Sequence, residues 1–312
     1  MHERPPEPNE REKLVTSENS GREQDGATEA FVAHRNLLFT VAYEMLGSAA
    51  DAEDVLQETW LRWVDVDRSE VRDERAYLVR ITTRLALNRM RTNARRRESY
   101  VGPWLPEPLL TAPDVAEDVE LADSVSVAML TLLETLAPTE RAVFVLREVF
   151  DLGYDEIAAA VDKTPAAVRQ IASRARAHVA ERRPRAESTP RERDRVLERF
   201  MLAASTGDLQ SLLDVLAPDV VLVTDGGGIK KAALRPILGS DKVVRFLVGV
   251  STGPAEADVV VVNGAPALRI VIDGELDTIV SFVVEAGLVT GLYVVRNPAK
   301  LGRLDAVVAL TR

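Results

Sequence analysis

Asp51, Asp54, Gln57 and Glu58 recur at three- and four-residue steps within Asp51-Ala-Glu-Asp-Val-Leu-Gln-Glu-Thr-Trp60, which places polar and acidic side chains along one stripe of a helix. Soon afterwards Arg80, Arg84, Arg89, Arg91, Arg95, Arg96 and Arg97 crowd into a second segment with helical spacing. In a chain of formal net charge −10, so steep a local reversal of sign is the footprint of a phosphate-binding surface beside one suited to a basic protein partner. A third group lies further on. Thr164 and Pro165 open a segment carrying Ala167, Arg169, Gln170, Ser173, Arg174 and Arg176, side chains that can meet base edges and phosphates in a major groove.

Other chemistries are excluded by composition. The chain has no cysteine, so disulfides, thiolate metal sites and cysteine nucleophiles are absent. Histidine occurs only at His2, His34 and His178, which leaves the last third without the commonest general base. At 312 residues, 46% apolar and 28% charged, the chain reads as globular with two or three domains. No apolar run approaches the ~20 residues of a membrane span. The charged, proline-broken start, Met1-His-Glu-Arg-Pro-Pro-Glu-Pro, does not read as a secretory signal, so a cytoplasmic protein is expected.

The elements that must position these groups follow from periodicity. Residues 1–28 hold almost no aliphatic side chains and read as a disordered tail. Phe31, Leu38, Val41, Ala42 and Met45 then mark a helix that Gly47 stops. Ser48 can cap the next helix, with Asp51 in its first turn and Leu56, Trp60 and Trp63 on its buried stripe. Residues 64–74 read as a loop, and 76–97 as a helix with Leu78, Ile81, Leu85 and Met90 inward and arginines outward. Prolines break residues 102–110 into a linker or docking peptide. Residues 154–161, a tight turn and residues 165–178 have the form of a helix-turn-helix, capped by Thr164 with Pro165 at its first position. Asp162 sits where this turn often has glycine, and Asp tolerates the left-handed conformation. After a second linker at 185–192 the period changes. Two helices precede strand-like runs at 220–224, 258–262, 268–272, 278–284 and 289–295, punctuated by Asn263-Gly264, Asp273-Gly274 and Ala286-Gly287 at hairpin spacing. An α+β domain with an antiparallel sheet is expected over 193–312.

These residues carry a resemblance. Asp51 to Trp60, Arg75-Ala-Tyr-Leu-Val-Arg-Ile81, Leu136-Ala-Pro-Thr-Glu-Arg-Ala-Val-Phe144 and the helix-turn-helix are together similar to the extracytoplasmic-function sigma factors of the sigma-70 family. The resemblance implies an all-α region 2 at 29–98, a linker at 99–122 and an all-α region 4 at 123–184. It implies core RNA polymerase as partner for Asp51, Asp54, Gln57 and Glu58, and the promoter minus-ten element for Arg80, Thr83, Arg84, Asn88 and Arg91. The minus-thirty-five element would fall to Thr164, Ala167, Arg169, Gln170, Ser173, Arg174 and Arg176. Residues 193–312 resemble the cone-shaped, curved-sheet SnoaL-like extension of the sigma-J-type subgroup. Trp104-Leu105-Pro106-Glu107-Pro108-Leu109, Asp225-Gly226-Gly227-Gly228 and Asn297-Pro298-Ala299-Lys300-Leu301 match its interdomain motifs, with Ile229 displacing the usual lysine to Lys230 and Ala299 standing where an acid is usual.

The expected function is promoter recognition and transcription initiation, with the C-terminal domain regulating in cis, no separate anti-sigma factor required, no membrane partner, and neither metal nor cofactor. An unidentified small ligand in the C-terminal domain stays open. So do a helix-turn-helix regulator with a ligand-binding domain and an isomerase- or cyclase-like enzyme; for the last, Asp225 with Tyr293 is the best available acid-base pair.

Overall fold

In a computed structural model of the chain, the described structure comprises residues 10–112, 119–182, 188–250, 255–304 and 306–312, with side chains from Asp25 onward except those of Arg96 and Val119. The first helix, α1 (Glu10–Leu46), starts well inside the stretch expected to be a disordered tail. The reason is nucleation. Leu38, Val41, Ala42 and Met45 are fully buried and fix the helix, and each turn added toward the N-terminus then gains hydrogen bonds without a new nucleation cost. Ala27 is buried, and its carbonyl accepts the Trp63 indole N–H at 2.9 Å. Residues 1–9 of the expected tail lie outside the described residues.

Ser48 caps α2 (Ala49–Val64) by accepting the Asp51 N–H, and Asp73 caps α3 (Glu74–Glu98) in the same way at Ala76. The intervening loop contains a 3-10 turn at Arg68–Glu70. Then come α4 (Val119–Ser124), which begins inside the stretch read as linker, α5 (Val127–Leu133) and α6 (Pro138–Phe144), which runs into a π-helical turn at Val145–Val149. The helix-turn-helix is formed by α7 (Tyr154–Val161) and α8 (Pro165–Arg182), and Asp162 takes the left-handed conformation at φ 56°. The two helical modules are not separate cores. One continuous apolar cluster runs from Ala27 through Leu78, Leu87 and Leu146 to Val179, and it also takes in Leu310 near the C-terminus. The expected boundary between them is a change of element, because neither short helical set encloses enough apolar surface alone.

The C-terminal domain opens with α9 (Pro190–Thr206), capped by Thr189 and Glu192, so it starts within the expected second linker, of which residues 185–187 lie outside the described residues. It continues with α10 (Leu209–Val215), β1 (Leu216–Asp225), β2 (Ile237–Leu238), α11 (Ser240–Val250), β3 (Glu256–Val262), β4 (Ala265–Ile272), β5 (Glu275–Glu285), β6 (Leu288–Val295) and α12 (Pro298–Leu301). These form a 6-stranded sheet in the order β2-β1-β6-β5-β4-β3. The sheet is mixed, which corrects the antiparallel expectation: β1 and β6 pair in parallel, Val223 opposite Tyr293 and Asp225 opposite Val295. The antiparallel meander from β3 to β6 returns the chain beside β1 in the direction in which β1 ran. Register shifts in β1, β4 and β5 mark the bulges that bend a sheet. One face, with Leu222, Leu268 and Leu292, packs on Phe200 and Val243 of α9 and α11. The other, with Val262, Ile279 and Val295, packs on Leu105 of the linker and on Leu301 and Leu304.

Trp63 therefore does two jobs, filling the core and tying down the inner end of the N-terminal extension. Trp63→Phe keeps most of the apolar burial but strands the Ala27 carbonyl, a loss of about 1 kcal/mol. Calorimetry should show the melting temperature lowered by about 2–4 °C, and hydrogen exchange should show faster exchange at the start of α1. A variant indistinguishable from the parent on both counts would refute the tie.

Candidate functional site

Residues 104–111 run extended between the helical modules and the C-terminal domain, with Leu105, Pro106, Glu107, Pro108 and Leu109 all buried. An extended buried strand must find partners for its backbone outside itself. Pro106 and Pro108 remove two donors at once. The donors at alternate positions are each met: Leu105 N–H by Asp225 Oδ2 at 2.9 Å, Glu107 N–H by Gly47 O at 2.9 Å, Leu109 N–H by Asn263 Oδ1 at 3.0 Å and Thr111 N–H by Val261 O at 3.1 Å. On the acceptor side Glu107 O takes the Tyr43 hydroxyl at 2.6 Å and Leu105 O takes the Lys300 ammonium. The Glu107 carboxylate accepts Ser48 Oγ at 3.1 Å and Ala50 N–H at 3.3 Å, so the linker places a negative charge at the N-terminus of α2.

Asp225, fully buried at the end of β1, accepts four donors: Tyr100 Oη at 2.6 Å, Leu105 N–H, Gly227 N–H at 3.0 Å and Lys300 Nζ at 2.7 Å. Asn297 caps α12 and donates to Tyr100 Oη at 2.7 Å, with Pro298 as the first helical residue. The Lys300 ammonium lies 4.0 Å from the Trp104 ring centre and 5.1 Å from that of Tyr100, within cation–π range. Burial pulls Lys300 down to about 8, opposed by the charge of Asp225, and burial together with the Asp225 hydrogen bond pushes the Tyr100 hydroxyl upward. Gly227 and Gly228 both take positive φ, and Gly228 lies against Val101. The structure thus brings all three interdomain motifs to one place, with Leu301 beneath them in the core. It does not assemble the acid-base pair, since the four donors to Asp225 do not include Tyr293. Lys230 pairs instead with Asp277 at 2.9 Å.

A second polar junction was not legible as a site. Glu44, fully buried on α1, accepts Ser124 Oγ at 2.8 Å, and its carbonyl accepts Arg141 Nε at 2.9 Å. Burial pushes the Glu44 carboxyl up to about 8 against Ser124 and Arg141, and pulls Arg141 down to about 9. Glu134 bridges Arg141 to Arg97, whose guanidinium stacks 3.9 Å over the Trp104 ring. Glu44 Oε2 and Arg141 Nη2 have no direct partner among the described residues. The available signal was an acid amid the apolar face Leu38, Val41, Ala42, Met45 and Leu46.

The charged helices are less exposed than their sequences imply. On α2, Asp54, Gln57 and Glu58 face solvent, whereas Asp51 is tied to α3 through Arg89 at 2.9 Å and Asn93 at 2.7 Å. Arg89 also reaches Asp54, and Glu58 pairs with Arg62 at 2.7 Å. On α3, Asn88 and Arg91 are exposed, Arg80 lies 4.6 Å from the Tyr77 ring centre, and Thr83 is fully buried with no hydrogen-bond partner for its hydroxyl among the described residues. Arg84 donates to Ala159 O of α7 at 2.8 Å. Thr83 is thus enclosed, while Arg84 stays exposed with its guanidinium tied to α7, which packs on α3. On α8, Thr164 Oγ1 accepts Ala167 N–H at 3.2 Å as the expected cap, and Arg169, Gln170, Ser173, Arg174 and Arg176 are exposed. Arg176 pairs with Glu148 at 2.8 Å, and Arg169 lies 5.4 Å from the Tyr154 ring centre.

Comparison with known proteins decides what this assembly is. Residues 30–96 match the family model of sigma-70 region 2, and residues 126–179 that of sigma-70 region 4. The chain is 40% identical to the ECF RNA polymerase sigma factor SigJ of Mycobacterium tuberculosis over 70% of its own length and 72% of that protein's. It belongs to the extracytoplasmic-function sigma factors. It is also 33% identical to the probable ECF sigma factor SigI of the same organism, over 91% of this chain and 98% of the relative. The crystal structure of SigJ superimposes with a TM-score of 0.74 at 34% identity, covering 89% of this chain and 99% of that one.

As a sigma factor the protein is a transcription initiation factor and not an enzyme. The region 2 match takes in α1 from residue 30, α2 and most of α3, the region 4 match takes in α5 to most of α8, and the α+β domain follows them in the chain. Among the described residues no helix is long and apolar enough to cross a membrane.

Two outcomes follow from the buried charges of this sigma factor. Asp225→Ala leaves the Lys300 ammonium without its counter-charge and should cost about 3–5 kcal/mol in urea unfolding, while Asp225→Ala with Lys300→Met should recover the part due to the unpaired charge and leave the part due to the stranded Leu105 N–H and Tyr100 hydroxyl. Equal losses in the single and double variants would show that the pair is not coupled. Glu44 holds its proton more tightly folded than unfolded, so its contribution to stability is complete below about 4.5, the ordinary value, and is lost as pH rises through about 8. Glu44→Gln should flatten the fall in melting temperature between pH 5 and pH 9 by about 3 °C or more; an unchanged slope refutes the assignment.

Proposed function

We propose that this sigma factor is regulated in cis, its C-terminal domain clamping regions 2 and 4 and the linker in a closed arrangement that must open for promoter engagement. The observation that carries this reading is the hydrogen bond from Arg84 of α3 to Ala159 O of α7, within one continuous core. The elements named minus-ten and minus-thirty-five are separated by about 25 base pairs, or about 85 Å of duplex at 3.4 Å per step. Two readers in contact do not span that distance. Core polymerase would hold them apart and supply the effective concentration that makes two weak readers act as one. A domain that clamps in cis does the work of a separate anti-sigma subunit, so none is required.

Within this reading Asp54, Gln57 and Glu58 face core polymerase, with Asp51 fixing their helix on α3. Arg80, Asn88 and Arg91 meet the minus-ten region at once, and Thr83 and Arg84 only after α7 has left. Arg169, Gln170, Ser173, Arg174 and Arg176 meet the minus-thirty-five region, with Thr164 and Ala167 at the start of their helix.

Run-off transcription with core polymerase tests the clamp. Chains ending at residues 184 and 300 should give yields differing from the full chain by about threefold or more at limiting polymerase. Identical yields overturn regulation in cis. Asp54→Lys with Glu58→Lys should weaken binding to core polymerase by about tenfold. Arg169→Ala should leave core binding unchanged and weaken upstream-element recognition by about tenfold. The reverse pattern would overturn the division of roles.

A further inference from the structure

Three hairpin tips in the C-terminal domain share one geometry. Asn263-Gly264, Asp273-Gly274 and Ala286-Gly287 each place two successive residues at positive φ, between 50° and 79°, which closes a two-residue turn in step with the twist of its strands. Asp273, Gly274 and Ala286 are exposed, as loop tips usually are. Asn263 is 1% exposed. Closing a turn does not require that burial.

The contacts of Asn263 account for it. Its side-chain oxygen accepts Leu109 N–H at 3.0 Å, its amide nitrogen donates to Tyr43 Oη at 2.7 Å and to Val125 O at 2.8 Å, and its own N–H reaches Leu109 O at 2.9 Å. These partners lie on α1, on the connection between α4 and α5, and on the linker. Gly264 N–H donates to Thr111 Oγ1 at 3.0 Å, and a Cβ on Gly264 would fall 2.7 Å from the Ala122 Cα, so the tip is seated against α4 with no room for a side chain.

We infer that Asn263 is the positioning residue that pins region 2, the linker and the start of region 4 to one another. The inference rests on the regulation in cis proposed above and names the contact through which it works. A primary amide is the one short side chain that offers an acceptor and two donors in a single plane. Asp at this position has the acceptor and no donor. The Tyr43 hydroxyl accepts from Asn263 and donates onward to Glu107 O, so the bonds run in one direction from the hairpin tip through α1 into the linker. Burial pushes that hydroxyl well above the ordinary tyrosine range, and the relay is uncharged. When the modules part, water replaces each bond, so the net hold is a small difference that a polymerase can overcome.

The absence of cysteine makes the test direct, because two introduced thiols take dyes at those positions alone. Glu29→Cys on α1 and Ala177→Cys on α8, both exposed, report the separation of regions 2 and 4 in the full chain by energy transfer. Asn263→Gly keeps the turn, since glycine adopts positive φ freely, and deletes the pin. The expected result is a rise of about tenfold in the separated population, a run-off yield above that of the parent, and an unchanged β-sheet signal in circular dichroism. Asn263→Asp keeps the turn and the acceptor but removes both donors; it should move transfer and yield in the same direction, and it decides the matter should Asn263→Gly fold poorly. Unchanged transfer and yield in these variants, with the chain ending at residue 184 still altered, overturns the pin and leaves regulation in cis standing. No change in that truncation either overturns both.

Discussion

Backbone that is extended and buried cannot satisfy itself, and the arrangement of this sigma factor follows from that constraint on residues 104–111. A helix carries its partners within it; a lone strand must borrow them. Here the lenders are Asp225 and Asn263 of the C-terminal domain, Gly47 at the end of α1 and Val261 on β3. Every part of the chain that packs on this segment is thereby fixed relative to every other. Prolines at 106 and 108 thin the demand for partners without relaxing the extended conformation.

Charge is organised around the same segment. Arg141, Glu134 and Arg97 form a row that runs from the buried interior to half-buried Trp104, and Lys300 approaches that ring with Asp225 beside it. Buried ionic groups contribute little net stability when replacement by apolar residues is the alternative, yet they are costly to break singly. They act as specificity devices, favouring one docking geometry over near neighbours. The arginines of α3 are accordingly divided: Arg89 and Arg97 hold the protein together, while Arg91 and Arg95 remain exposed.

What the sequence made legible was local. Ser48, Thr164 and Pro165 announce helix starts through the hydrogen bonds they make within one turn, and Asn263-Gly264, Asp273-Gly274 and Ala286-Gly287 announce hairpins through backbone conformation alone. The exposed face of α8 was legible from the helix-turn-helix spacing, and the interdomain motifs through resemblance. Illegible were features set by distant partners. Parallel pairing of β1 with β6 depends on where a long meander returns. Helix α11, Ser240–Val250, reads equally well as a strand because its valines and phenylalanine suit either state until packing decides. Glu44 carries no local sign of its role, and Asn263 reads only as a turn residue; partners 80 and 220 positions away give them theirs. The N-terminal extension of α1 was missed because composition reports the burial a segment could achieve, not the helix it can inherit from its neighbour.

The linker strand also has a mechanical character. Its hydrogen bonds lie side by side and cross the chain direction, so tension along the strand loads them in parallel, and they must fail nearly together. Lifting one end loads them in series, one after another, at far smaller force. Separation of the domains is then a peeling fracture that starts at the Trp104 end or at Thr111, and the end that yields first dictates whether Asp225 or Asn263 lets go before the other.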